Sequence, residues 1–200
     1  LLNTRPRYPR YKLLCHSTSR KDDRYAVLIL NVIMSASTPD LCDAFENTIR
    51  IVDPSLGFRN FGGRNRFYGQ VVTAKCFEDN SVVKQLATTD GRGKVMVVDG
   101  GGSRRRALLG DQVAADCANH GWEGLVIYGS IRDVDEINAL DLGVQALGPS
   151  PMKTIKRNEG QIGIPVMFGG VTFANGDWIA CDNNGIVVND TEMLETSTVR

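Results

Sequence analysis

The 200 residues carry 23 Lys/Arg against 23 Asp/Glu, 42% hydrophobic residues and 21 glycines, a composition that allows one domain with a sizeable core and many tight turns. With a formal net charge of zero, no global field directs the protein to nucleic acid or to a membrane surface. The zero conceals an asymmetry: residues 1–33 hold seven Lys/Arg against Asp22 and Asp23, so the remainder is net negative by five, which argues against direct nucleic-acid binding through phosphate contacts.

Residues 1–33 combine Arg, Pro and Tyr without helical periodicity. The apolar run Ala26–Met34 is broken by Asn31 and falls far short of the roughly 20 residues of a membrane span. The segment reads as a basic N-terminal extension, either a targeting presequence or a translated upstream stretch, and stands apart from a domain over residues 34–200. Met34 has the look of a natural start, and cytoplasmic location is expected.

From Thr38 the pattern becomes regular. Pro39 and Asp40 suit a first helical turn, with Leu41, Ala44 and Phe45 on one apolar face. Gly69–Phe77 reads as a strand, Ser81–Thr88 as a helix, and Lys94–Asp99 as a buried strand entering the Gly100-Gly101-Gly102 turn. Arg104-Arg105-Arg106 leads into Ala107–His120, which is helical by composition and spacing. Gly124–Ser130 is another buried strand. Val144–Gly148, Ile164–Phe168, Trp178–Cys181 and Ile186–Val188 are shorter strands, the last two joined by an Asn184-Gly185 hairpin signal. Phe67, Tyr68 and Phe168 are expected in the core. The first half alternates strand and helix and the second half is mostly strands, which predicts an α/β domain.

Five cysteines, widely spaced and without a CxxC pair, read as free thiols in a reducing compartment. With His16 and His120 alone, a zinc site or histidine-based catalysis lacks material.

Two stretches carry chemistry. In Val98–Val113 a strand ends, three glycines turn the chain and a helix is expected to follow. Such a turn can bring backbone amides up to a carboxylate or phosphate, although it fits neither a dinucleotide fingerprint nor a P-loop and is equally compatible with a purely structural turn. In Tyr128–Glu136 one arginine and three acidic residues crowd the C-terminal end of a buried strand, where ligands of α/β folds collect. A charged, solvated helix start capped by Asp133 or Asp135 explains the same residues.

The runs FGGR (Phe61–Arg64), GQVVTAKCFEDN (Gly69–Asn80), GRGKVMVVDGGGS (Gly91–Ser103), RRALLGDQVA (Arg105–Ala114), WEGLVIYGSIRDVDEI (Trp122–Ile137), DLGVQALG (Asp141–Gly148) and FGGVTFANGDWIACDNNGIVV (Phe168–Val188) closely resemble the family of the regulator of ribonuclease activity A and the class II 4-hydroxy-4-methyl-2-oxoglutarate aldolases. The resemblance covers about residues 38–190. It implies a three-layer β/β/α, swivelling-domain-like single domain that assembles as a homotrimer or a hexamer, with sites at subunit boundaries.

One branch of that family is a protein inhibitor of ribonuclease E. The other is a divalent-metal lyase that releases pyruvate and decarboxylates oxaloacetate. The lyase branch carries an Asp, twenty residues, then Arg-Asp. Here Asp111 is followed by Arg132-Asp133 at that spacing, so the resemblance favours the lyase, with a small 2-oxo acid substrate, Mg²⁺ or Mn²⁺ as cofactor and a ribonuclease partner as the alternative. It implies that Gly110, Asp111, Gln112 and Val113 meet substrate through backbone amides, that Arg132 pairs with substrate, that Asp133 binds the metal, and that Asp111 holds a water on the metal, with Glu136 also near it. A methyltransferase activity attached to the family is not expected, because Val98–Ser103 offers little beyond strand and glycines.

Overall fold

Helix α1 (Thr38–Ala44) begins with a reciprocal cap. The Ser37 amide donates to Asp40 Oδ2 at 2.9 Å and the Asp40 amide donates to Ser37 Oγ at 3.3 Å, which satisfies two donors that the first turn leaves without partners. The computed structural model describes residues 36–193, so the basic extension and Cys15 lie outside the described residues. After α1 come β1 (Arg50–Ile51), a 3-10 turn at Pro54–Leu56, β2 (Arg59–Asn60), β3 (Phe67–Lys75), α2 (Ser81–Ala87), β4 (Lys94–Asp99), β5 (Ala107–Leu109), α3 (Asp111–Asn119), β6 (Gly124–Ile131), α4 (Val134–Asn138) and β7 (Gly143–Pro149). Five strands complete the chain: β8 (Gln161–Ile162), β9 (Val166–Phe168), β10 (Val171–Phe173), β11 (Trp178–Cys181) and β12 (Ile186–Asn189).

The main sheet runs β1-β12-β11-β3-β4-β6-β7-β2, with β5 paired to β6 and β8 to β3. Strands β3, β4, β6 and β7 are mutually parallel, and each crossover between them contains a helix. Parallel strands covered on both faces need apolar residues at every position rather than alternate ones. β4 shows this. Val95 and Val97 join one buried cluster, and Met96 and Val98 join the other.

The Met96 and Val98 cluster takes Val83 and Leu86 from α2, Ala114 and Cys117 from α3 and Ile137 from α4. The Val95 and Val97 cluster takes Phe168 and Phe173 from the β9–β10 hairpin together with Ile179 and Ile186 from β11 and β12. Helices, central parallel strands and an outer strand layer give the expected three-layer α/β domain. Phe67 and Phe168 are buried as expected, and Tyr68 is half-buried and stacks on Trp178 with centroids 5.2 Å apart.

Asp182 does more than shape the β11–β12 turn. It accepts the amides of Asn184 and Gly185 and also both the amide and hydroxyl of Thr38, at 2.9 and 2.7 Å, so it anchors α1 to the outer layer. The FGGR motif is likewise structural. Arg64 donates to Glu123 at 2.6 Å and to Asp141 at 2.6 and 3.1 Å, which ties the strand entries of β6 and β7 together.

One element departs from expectation. Ala107–His120 is not one helix: Ala107-Leu108-Leu109 form β5, Gly110 ends it, and α3 starts at Asp111. All three β5 residues are buried, and Ala107 and Leu109 pair with Ser130 and Ile131 of β6, so sheet pairing overrides the helix preference of Ala and Leu. Arg104–Arg106 therefore precedes a strand, and the glycine turn does not open a helix. Arg105 and Arg106 lie against Glu78 at 2.6 and 3.8 Å.

The four described cysteines are free thiols. Burial pushes Cys76 and Cys117 up to about 12 and Cys181 well above its ordinary value, which makes them poor nucleophiles. Among the described residues no helix is long and apolar enough to cross a membrane.

Candidate active site

The shift from helix to strand over Ala107–Leu109 is what builds the site. Because β5 pairs with the end of β6, the Arg132 amide donates to the Leu109 carbonyl at 2.9 Å. Residues 110–113 and residues 132–133, about twenty apart in sequence, thus become neighbours at the C-terminal ends of parallel strands, where ligands of such sheets bind.

Gly110 is extended and serves as the residue before α3. A Cβ there would lie 2.7 Å from Asp133 Oδ2 and 3.1 Å from Arg132 Nε, so only glycine lets these groups close over the backbone. Asp133 Oδ2 accepts the Asp111 amide at 3.2 Å and pairs with Arg132 Nε at 3.2 Å. The two side chains keep 38% and 32% of their surface exposed, enough to meet a ligand. Asp133 stands in the left-handed region at φ 56° and ψ 45°, a conformation that costs a non-glycine residue roughly 1–2 kcal/mol. It precedes α4 without capping it through its side chain, so the cap reading does not hold for Asp133.

At the start of α3 the Ala114 amide is the first to find its helical acceptor, Gly110 O at 3.0 Å. The Gln112 and Val113 amides have no acceptor among the described residues. Free amides at a helix N-terminus attract an anion such as a carboxylate.

These amides open on a cleft of about 540 Å³. Gly110, Asp111, Gln112, Val113 and Arg132 line it. Asp133 does not line it but lies against Asp111 and Arg132 at its rim. Glu136 is exposed on α4 and does not line it.

The opposite walls were not anticipated from sequence. Asn80 and Lys84 come from α2 and the residue before it, and Lys153, Thr154 and Lys156 come from the segment after β7. Their one available signal was two lysines in the run Lys153–Lys156, which nothing local connects to Arg132.

No group of three or more His, Cys, Asp or Glu among the described residues could cage a metal ion. The donors present suit a different arrangement. Mg²⁺ usually takes one or two protein carboxylates and completes its shell with water and substrate oxygens. Asp133 Oδ1 accepts no hydrogen bond from a described residue, and Asp111 stands beside it, so the residues fit such an open site.

The sequence profile of the RraA-like family, described as Aldolase/RraA, matches residues 38–188. The chain belongs to the RraA-like family. Among RraA-like relatives, a protein of Azotobacter vinelandii named "Putative 4-hydroxy-4-methyl-2-oxoglutarate aldolase" is 60% identical over 156 residues, covering 78% of this chain and 95% of that protein. A protein of the same name from Pseudomonas syringae pv. tomato is 56% identical over 156 residues, with the same two coverages.

The RNA-processing inhibitor RraA of Thermus thermophilis superposes with a TM-score of 0.77 at 36% identity, covering 84% of this chain and 98% of that one. A crystal structure from Geobacillus kaustophilus described as an S-adenosylmethionine:2-dimethylmenaquinone methyltransferase gives a TM-score of 0.78 at 39% identity, covering 81% and 99%. One RraA-like fold thus carries relatives with three different functional names, and the choice among them rests on the site.

Proposed function

We propose that this chain is a divalent-metal-dependent carbon–carbon lyase that cleaves 4-hydroxy-4-methyl-2-oxoglutarate to pyruvate and decarboxylates oxaloacetate. The observation that carries the reading is the meeting of Arg132 and Asp133 with Asp111 and the free amides of α3 at one cleft. The names of the relatives at 56–60% identity support the same class of activity.

Breaking the C3–C4 bond of such a substrate, or losing carbon dioxide from oxaloacetate, leaves the enolate of pyruvate. Charge then develops on the C2 oxygen and must be stabilised where it forms. The Gln112 and Val113 amides bind the substrate's C1 carboxylate and orient it. Arg132, a planar fork that stays charged, pairs with the oxygens that gain charge, a task lysine's single point charge performs less well. Asp111, at the cleft wall, takes up the C4 hydroxyl proton through an intervening water in the retro-aldol direction. A Mg²⁺ or Mn²⁺ ion held by Asp133 supplies Lewis-acid polarisation of the 2-oxo group when bound.

The alternative reading is a protein inhibitor of ribonuclease E-type activity, as the name of the Thermus relative suggests. Such a role requires neither the arginine–carboxylate pair nor open amides beside it. A methyltransferase reading lacks support at the glycine turn, since a Cβ on Gly101 or Gly102 would sit 3.0 Å from the rings of Phe77 and Tyr128.

A pyruvate-release assay with oxaloacetate, corrected for its spontaneous decay in protein-free buffer with the same metal, tests the proposal. Turnover should appear with Mg²⁺ or Mn²⁺ and vanish on exhaustive chelation. No turnover under any condition contradicts the lyase reading, and full turnover after chelation contradicts its metal dependence.

A further inference from the structure

One wall of the cleft is not a regular element. Between β7 and β8 the chain forms no helix or strand, yet it brings Lys153, Thr154 and Lys156 to the cleft. Chain without a regular ladder keeps its place through other hydrogen bonds. Its first part is tied to neighbouring backbone. The Ser150 amide donates to Ile131 O at 2.7 Å, and the Ala107 amide donates to Met152 O at 2.8 Å.

The later part is held by a side chain. Asp79 is fully buried, and its Oδ2 accepts the amides of Arg157 at 2.6 Å and Glu159 at 3.2 Å. Its Oδ1 accepts the amide and hydroxyl of Ser81, at 2.8 and 2.6 Å, at the start of α2. The next residue adds a parallel tie, with Thr154 Oγ1 donating to Asn80 Oδ1 at 2.9 Å. One carboxylate therefore joins α2, which carries Lys84 to the cleft, to the segment that carries Lys153 and Lys156.

We infer that Asp79 is a positioning residue, whose carboxylate clasps residues 153–159 against α2 and so sets the spacing of the lysines that receive the second carboxylate of a dicarboxylic 2-oxo acid. The inference rests on the reading above, in which α3 and Arg132 hold the reacting end of the substrate. Lys84, Lys153 and Lys156 line the walls opposite α3, and the acidic lining residues Asp111 and Asp116 both belong to α3 itself, so that end favours an anion. Burial pushes the Asp79 carboxyl up, but its hydrogen bonds from Ser81, Arg157 and Glu159 outweigh this and hold it down at about 2. The clasp is therefore charged at every pH where the enzyme would work.

Asp79→Asn keeps the shape and replaces one acceptor by an amide group that must face N–H donors. Losing a charged hydrogen bond of this kind costs enough to raise KM for oxaloacetate about tenfold, with kcat within about twofold. Competitive inhibition by 2-oxoglutarate, a dicarboxylate, should weaken by a similar factor, while inhibition by pyruvate, which has one carboxylate, should stay within about twofold. Amide exchange at Arg157 and Glu159 should accelerate.

Equal losses for 2-oxoglutarate and pyruvate, or unchanged exchange, would overturn the inference. Should Asp79→Asn not fold, the double variant Lys84→Ala/Lys153→Ala, altered only at exposed side chains, must show the same split between the two inhibitors, and its absence would overturn the inference equally. If the wild type released no pyruvate, the lyase reading would fail on its own. Calorimetric binding of 2-oxoglutarate and pyruvate, with the exchange data, would still decide the clasp.

Discussion

Asp133→Ala and Arg132→Ala each lower pyruvate release by at least about 100-fold, the usual effect of removing one group aimed at developing charge, while the protein stays folded. The two side chains make few structural contacts. Arg132 holds β5 through its backbone amide, which donates to Leu109 O in any variant, and both side chains are partly exposed. Asp133 also carries a backbone penalty of roughly 1–2 kcal/mol for its left-handed conformation, strain of the kind that functional sites retain. Asp133→Gly relieves that penalty. It should melt within a few degrees of the wild type yet be as inactive as Asp133→Ala. Melting curves and turnover from the same preparations check this, and near-normal turnover in either alanine variant contradicts the assignment.

Gly110→Ala has a comparable effect by another route. It removes no chemical group, and the extended backbone of Gly110 accepts alanine. The added methyl would stand 2.7 Å from Asp133 Oδ2 and 3.1 Å from Arg132 Nε, closer than carbon and oxygen tolerate, so the carboxylate must swing outward. A displacement near 1 Å at a reacting group costs on the order of 100-fold in rate. The expected result is a loss of that size in kcat/KM for oxaloacetate with little change in melting temperature. Wild-type kcat/KM in Gly110→Ala would show that Asp133 and Arg132 act from other positions.

The parts of the fold that were legible in sequence share a cause. β4 and β6 are continuous apolar runs bounded by glycine and charge, and α1 carries Pro39 and Asp40 in its first turn. Local chemistry decides these. Ala107–Leu109 was misread because its strand state comes from pairing with β6, information that a helix-compatible stretch of Ala and Leu does not contain.

The candidate site divides in the same way. The Asp111 and Arg132-Asp133 spacing pointed to one group, and the chain crossover brings those residues together. Glu136, three residues on, was expected nearby but turns to solvent on the short α4. Lys84 and Lys153–Lys156 escaped because they reach the cleft through a segment without regular structure, held by the buried Asp79 far away in sequence. A motif reads residues that act from one stretch; a clasp between distant stretches leaves no such mark.

In the proposed lyase the Asp133 carboxylate holds a hard cation beside a 2-oxo acid seated on α3. A crystal structure of the protein soaked with Mg²⁺ and pyruvate addresses it directly. The expected result is an ion about 2.1 Å from an Asp133 carboxylate oxygen, with the pyruvate carboxylate on the Gln112 and Val113 amides and Arg132 alongside. An ion bound elsewhere with the Asp133 carboxylate turned away, or pyruvate outside the cleft, would contradict it.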